Sequence, residues 1–286
     1  MAKSEVVKAT VAPVQSAVST IPEYLKGYNG PTGTENIETT DVTIPRLKIA
    51  QGLTSEVKEG LVKDGSLFIN LGAQVVAERG DSLRFIPLAY AKEFILWRPR
   101  EDNGGGILAR ARPVYDETNH RIRYKWDKQN ETFEVKLKGI VKCKWTTGQY
   151  IDEDGLDEWG SENPADRSSG IAATAHLNYV VALPDHEDML VAFSFSRTTT
   201  RAGKDLNGLL KQGRAPMFAR IFSAKTFEDK REKGEFNNVK IMNDGFVTED
   251  KFAVYQQYAK QFETGFVVDQ SDEDATDGVP AQSDHL

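Results

Sequence analysis

The stretch TFEVKLKGIVKCKW constrains this chain more than any other. Phe133, Val135, Leu137, Val141, Cys143 and Trp145 hold the odd positions, and Glu134, Lys136, Lys138, Lys142 and Lys144 the even ones. Gly139 fills the one gap in the apolar row, and Ile140 is the one exception on the polar side. A period of two sends alternate side chains to opposite faces, which a strand does and a helix does not. Read as one strand, the run extends roughly 43 Å at about 3.3 Å per residue, and a strand of that length coils or bulges at a central glycine. The expectation is a single long curved strand with one apolar and one cationic face.

Its neighbours agree. HRIRYKW alternates, with Arg121, Arg123 and Lys125 on one side and Ile122, Tyr124 and Trp126 on the other, and DKQNE reads as a polar hairpin loop joining it to the long strand. LRFIPLAYAKEFILW gives further strand-like runs broken at Pro87, and MLVAFSFSR another strand. Only two helices stand out, around RAGKDLNGLLKQG and around TEDKFAVYQQYAKQFETG. In the second, Thr248 suits an N-cap, Gly265 suits the exit, and Tyr255, Tyr258, Ala259 and Phe262 mark one face. Too few helices separate the strands for a layered α/β fold, so the chain reads as mainly β with a small barrel at its core.

Residues 1–40 are rich in Ala, Val, Ser and Thr, lack a sustained period and read as a flexible arm. Residues 41–268 read as one domain with insertions, and residues 269–286 as a disordered tail. That tail carries Asp269, Asp272, Glu273, Asp274, Asp277 and Asp284 with no Lys or Arg, so it holds most of the formal charge of −7. The single cysteine, Cys143, rules out an intrachain disulfide and a thiolate zinc site and fits a reducing cytoplasm. No signal peptide and no apolar run of membrane-spanning length is read from the sequence, and no membrane partner is expected.

Charge within the body is segregated. Residues 84–148 hold 14 Lys and Arg against 8 Asp and Glu, residues 149–169 hold one Arg against 7 acids, and residues 194–240 hold 11 basic against 5 acidic. Cationic strands interleaved with Trp97, Tyr124, Trp126 and Trp145 have the composition of a single-stranded nucleic-acid groove, where cations follow phosphates and aromatic faces stack bases. Tyr124, Trp126 and Trp145 lie on apolar strand faces and read as core. Trp97 differs. It stands in LWRPREDNGGGILARAR beside Arg98 and Arg100, and a glycine run returns the chain to Arg110 and Arg112. This is either an arginine-bearing clamp over a barrel mouth or a solvated hairpin. A second basic site is FSFSRTTTRAGKDLNGLLKQGRAP, where a strand enters a helix among Arg197, Arg201 and Lys204. It reads equally as an amphipathic helix facing water.

Signatures of catalysis are thin. His120, His176, His186 and His285 have no metal-ligand spacing, and no Gly-x-Ser-x-Gly elbow occurs. The acidic DEDGLDE lacks the glycine placement of a calcium loop and reads as a solvated loop. A metal-dependent nuclease would have to gather Asp152, Asp154, Asp157 or Glu158 with a distant carboxylate or histidine. The expectation is a non-enzymatic protein with no cofactor and no metal.

IPRLKIAQGLTSEVKEG, FILWRPREDNGGGILARA and FSFSRTTTRAGKDLNGLLKQGRAPMFARIF resemble a set of tailed-bacteriophage proteins over roughly residues 22–265. That resemblance implies phage DNA replication and single-stranded DNA binding in the host cytoplasm. The overall plan is also similar to single-stranded DNA-binding proteins that join an OB-fold to an acidic C-terminal tail. In those proteins the tail recruits replication enzymes and competes with DNA. This chain departs from them in closing on SDHL rather than on an aromatic residue. Taken with the cationic faces, the expectation is an OB-like barrel whose DNA contacts come from Trp97, Arg98, Arg100, Arg110, Arg112, Arg121, Arg123, Lys125, Lys136, Lys138, Lys142, Lys144, Arg197, Arg201 and Lys204. The six tail carboxylates would fold back on that surface or meet replication proteins. The competing reading is a phage structural or host-interaction protein whose patches contact another protein.

Overall fold

The structure, a computed structural model, describes residue 30 and residues 44–97, 107–127, 132–137, 141–146, 150–161, 167–168, 170–231 and 234–263. For 132–137, 141–146 and 231 it describes the backbone alone. Contacts divide the chain into Met1–Val42 and Thr43–Leu286, and the fold below is that of the second unit. In chain order it runs β1 (Arg46–Ile49), α1 (Ser55–Lys58), β2 (Leu67–Ile69), β3 (Gln74–Ala77), β4 (Ser82–Trp97), β5 (Ile107–Asp116), β6 (Arg121–Trp126), β7 (Thr132–Leu137) and β8 (Val141–Thr146). There follow α2 (Ile151–Asp154), β9 (Ala173–Leu183), β10 (Met189–Ser196), α3 (Thr200–Gln212), β11 (Arg220–Arg231), β12 (Gly234–Phe246) and α4 (Glu249–Gln261).

The expected mainly β fold is present, as a curled, barrel-like sheet ordered β12-β11-β4-β9-β10-β1-β2-β3, with β5 on the far part of β4 and β6 beyond it. Described pairs are antiparallel except β1 with β10, where Arg46 faces Ala192. The longest strand among the described residues is β4, with 16 residues. Its start pairs with β11, its end with β5, and its length with β9. Pro87 does not break it. The register shifts between Pro87 and Ala89, and such a bulge accommodates a residue that has no N–H to give the ladder.

The long strand expected over 133–145 is instead a hairpin. β7 and β8 form a separate two-stranded sheet in which Phe133 faces Trp145, Val135 faces Cys143 and Leu137 faces Val141. Three residues separate the strands, so the odd-numbered apolar set stays on one face through the reversal. The hairpin expected across DKQNE is also corrected, because β6 pairs with β5.

Alternation on β9 divides the interior. Leu177, Tyr179, Val181 and Leu183 enter a core with Phe85, Phe193, Phe195, Phe222 and Ile241. α3 closes that core with Ala202 and Leu206, and Gly203 permits its close approach to Leu177 and Phe195. On the opposite face Val180 and Ala182 join Ile86 and Leu88 beneath α4, which packs its Tyr255, Tyr258 and Ala259, with Phe262 at its C-cap, against them. The apolar face expected of this helix is therefore the buried one. Thr248 stands at its N-cap position, but its hydroxyl bonds the Asp250 carboxylate rather than a backbone N–H. Phe94, Leu96, Ala111, Trp126, Ile151 and Leu156 make a further core under β5, β6 and α2.

Candidate functional site

Directly opposed residues on paired strands point to the same face of a sheet. Ser196 faces His176 and Ser194 faces Asn178 across β10 and β9, and His176 faces Glu93 on β4. Arg110 stands opposite Ile95, two residues along from Glu93 on the same face. These side chains share the face opposite the Tyr179 core and form a polar band beyond the part that α4 covers. Arg46 and Lys48 on β1 extend the band past β10.

The band is held by a buried carboxylate. Glu93 is 6% exposed, accepts from Asn178 Nδ2 at 2.9 Å, and pairs with Arg110 at 3.4 Å. A buried charge persists only when it is paired and hydrogen-bonded in this way. His176, 4% exposed, carries the opposite constraint. Burial first, then the positive fields of Arg197, Arg46 and Arg110, pull its pKa down to about 3, so the imidazole is neutral at ordinary pH. The Trp97 ring lies 6.2 Å from His176, with the Arg197 guanidinium 5.6 Å from the Trp97 ring centre. Arg197 has a left-handed backbone, φ 48°, where β10 turns into α3, a conformation an L-residue adopts at some cost.

Three of the expected residues, Trp97, Arg110 and Arg197, thus surround one histidine. Arg46, Lys48, Glu93, His176, Asn178 and Ser194 escaped the sequence reading. Their signal was the pair His176 and Asn178, two apart in the mostly apolar strand ATAHLNYVVAL. Arg112 is exposed and faces Lys125 across β5 and β6.

Arg121 and Arg123 go elsewhere. Arg123 bonds Asp152 at 2.7 Å, Glu153 at 2.6 Å and Asp116 at 3.4 Å, and its guanidinium stacks 3.7 Å from the Tyr150 ring centre. Arg121 bonds Asp152 at 2.9 Å. The acidic stretch expected to be a solvated loop is therefore a clasp. A Lys125–Tyr150 bridge pins it along β6, Ile151 and Leu156 enter the core, and Asp154 accepts from Trp126 Nε1 at 2.6 Å. Opposite charge close in sequence, anchored by two apolar residues, closes this part of the cationic strand. Of the carboxylates of the nuclease reading, Asp152 faces two arginines and Asp154 an indole, and no metal-holding cluster of His, Cys, Asp or Glu occurs among the described residues.

Arg201 and Lys204 are exposed on α3. Lys204 lies close enough to Lys92 to help lower its pKa, after the larger effect of burial. Lys92 stands 4.4 Å from the Phe94 ring centre and 4.8 Å from that of Tyr124, whose phenol burial pushes up to about 12. Trp126 is core, as expected. Lys136 faces Lys142, and Lys144 faces Glu134, in the β7–β8 backbone. Arg98, Arg100, Lys138 and the tail carboxylates Asp269, Asp272, Glu273, Asp274, Asp277 and Asp284 lie outside the described residues.

Fold and band together define a mainly β protein with a barrel-like core and an arginine-rich, aromatic-bearing patch on one sheet face. Among the described residues no helix is long and apolar enough to cross a membrane. Residues 14–267 match the Pam3 phage gp34-like protein family, and the chain belongs to that phage family. No curated protein and no solved structure matches it.

Proposed function

We propose that this phage protein binds single-stranded DNA without sequence preference, on an OB-like barrel, and serves phage DNA replication or recombination. The observation that carries the reading is the Arg197 guanidinium beside the Trp97 ring, with Arg46 and Arg110 directing their fields to the same point. Cations beside an aromatic face suit a polynucleotide: arginine meets phosphate, and the indole stacks a base. Arg112 and Lys125 continue the track along β5 and β6, and Arg201 and Lys204 offer a second approach on α3. Arg121 and Arg123 join it only where their clasp opens. The acidic tail competes with DNA for these cations.

The test is a titration of labelled oligo-dT with the full chain and with residues 1–268, from about 50 mM salt upward. Each phosphate neutralised on a single strand contributes a slope of about −0.7 in log K against log salt, so three phosphate contacts give about −2. Truncation tightens binding at the low-salt end, where screening is weak. Absence of binding at about 50 mM salt would refute the proposal.

One observation favours a protein partner instead. Tyr115 and Ile122 face each other across β5 and β6 and are 59% and 61% exposed. Under that reading, replacing both with serine abolishes capture of a phage or host protein, and DNA affinity is negligible throughout.

A further inference from the structure

Four buried polar atoms in the band have no hydrogen-bond partner among the described residues: Trp97 Nε1, His176 Nε2, Asn178 Oδ1 and Ser194 Oγ. Native structures leave few such atoms, and each calls for an explanation. These four are neighbours. Ser194 faces Asn178 across β10 and β9, His176 follows two residues away on the same face, and the Trp97 ring lies beside His176. Asn178 and His176 are more than nine-tenths buried.

Their chemistry narrows the ligand. The Asn178 amide has a fixed orientation, because its Nδ2 donates to Glu93 Oε1 at 2.9 Å and a carboxylate only accepts. Its Oδ1 is therefore an obligate acceptor, as the indole N–H is an obligate donor. The hydroxyl and the neutral imidazole take either role. A bare anion would use the donors, leave Asn178 Oδ1 unmet and lie near Glu93. A cation would leave the indole N–H unmet. Ordered water meets both kinds of group, and so does a nucleobase, which carries donors and acceptors along one flat edge and a ring that suits a face beside an indole.

We propose that Trp97, His176, Asn178 and Ser194 receive the edge of one nucleobase, whose phosphate meets Arg197. This deepens the single-stranded DNA reading and rests on it: one base leaves the stack and enters the sheet face while its neighbours stay outside, as splayed bases do in single-strand recognition. Hydrogen bonding to base edges is common to all four bases in kind but not in pattern, so the site confers a mild base preference on an otherwise indifferent binder.

The test uses the full chain with dAMP, dCMP, deoxyribose 5-phosphate and inorganic phosphate as separate probes. Trp97 is followed by the NMR resonance of its indole N–H, assigned by its loss in Trp97→Phe. The nucleotides shift that resonance, and the two probes without a base do not. Asn178→Ala and Ser194→Ala each weaken nucleotide binding about tenfold, the scale of leaving one buried partner unpaired. Trp97→Phe keeps an aromatic face, removes the N–H donor and weakens binding similarly, which keeps the test decisive if a β9 or β10 variant fails to fold.

Equal shifts from deoxyribose phosphate and dAMP overturn the base site. So does oligo-dT binding with a steep salt slope but no response to mononucleotides and no loss on an abasic oligomer. That result leaves the DNA reading intact. Mononucleotide binding without any oligo-dT binding does the reverse.

Discussion

His176 makes stability depend on pH in a range where no carboxylate of ordinary pKa titrates. In the folded chain its pKa is about 3, against 6.5 for a free histidine, because burial and then Arg197, Arg46 and Arg110 oppose its protonation. Below 6.5 the unfolded chain takes up a proton that the folded chain refuses. The stabilisation is therefore fully present above that value and is lost as pH falls toward 3, at about 1.4 kcal/mol per unit once the unfolded imidazole is charged. From about pH 7 to about pH 5 the loss integrates to about 2 kcal/mol, a figure insensitive to the folded pKa while it stays below about 4. The perturbation is His176→Gln, which cannot titrate. Urea denaturation at both pH values gives four unfolding free energies. The unfolding free energy of the wild type minus that of the variant should fall by about 2 kcal/mol on acidification, whatever its value at neutral pH. Asp116, Asp152 and Asp185, held below their usual range by hydrogen bonds, and Asp154 and Asp157, raised by burial, are common to both proteins and cancel. A gap constant to within about 0.5 kcal/mol would sink the claim that this imidazole is held neutral.

Two further outcomes follow from packing and pairing. A Cβ on Gly203 would lie 2.8 Å from both Leu177 Cδ1 and Phe195 Cβ, whereas one on Gly208 in the same helix would meet nothing within 4 Å. Thermal unfolding should show Gly208→Ala stabilising by up to about 1 kcal/mol, and Gly203→Ala destabilising because overpacking of about 1–3 kcal/mol exceeds that helical gain. Asp152→Asn removes the charge shared by Arg121 and Arg123, while Glu153 and Asp116 still meet Arg123. A loss of stability with faster amide exchange in β6 is expected; unchanged exchange would mean that the clasp does not hold the strand.

Much of this architecture was readable from residue patterns. α3 and α4 fall where apolar spacing and Thr248 place them, and β6 and β10 match HRIRYKW and MLVAFSFSR. The β7–β8 hairpin was not readable, for a definite reason. A reversal through an odd number of residues conserves parity, so Phe133 and Trp145 share a face whether the chain runs straight or turns back. Pro87 misled because its bulge depends on β9, a distant partner. The site was half legible. Composition pointed to Trp97, Arg110 and Arg197, but nothing local tells that Arg123 is taken by Asp152 while Arg197 stands by an indole. That depends on which strands become neighbours.

The parallel pairing of β1 with β10 has a consequence for synthesis. β1 meets β2 early, but its parallel partner β10 comes only after nine strands have been made, and β11 must then come back to the start of β4. A nascent chain stalled before Met189 leaves Leu47 and Phe85 without Phe193 and Phe195. Ribosome-bound intermediates of that length should be sticky, protease-sensitive and dependent on chaperones, and release should come with a late, abrupt gain of protection.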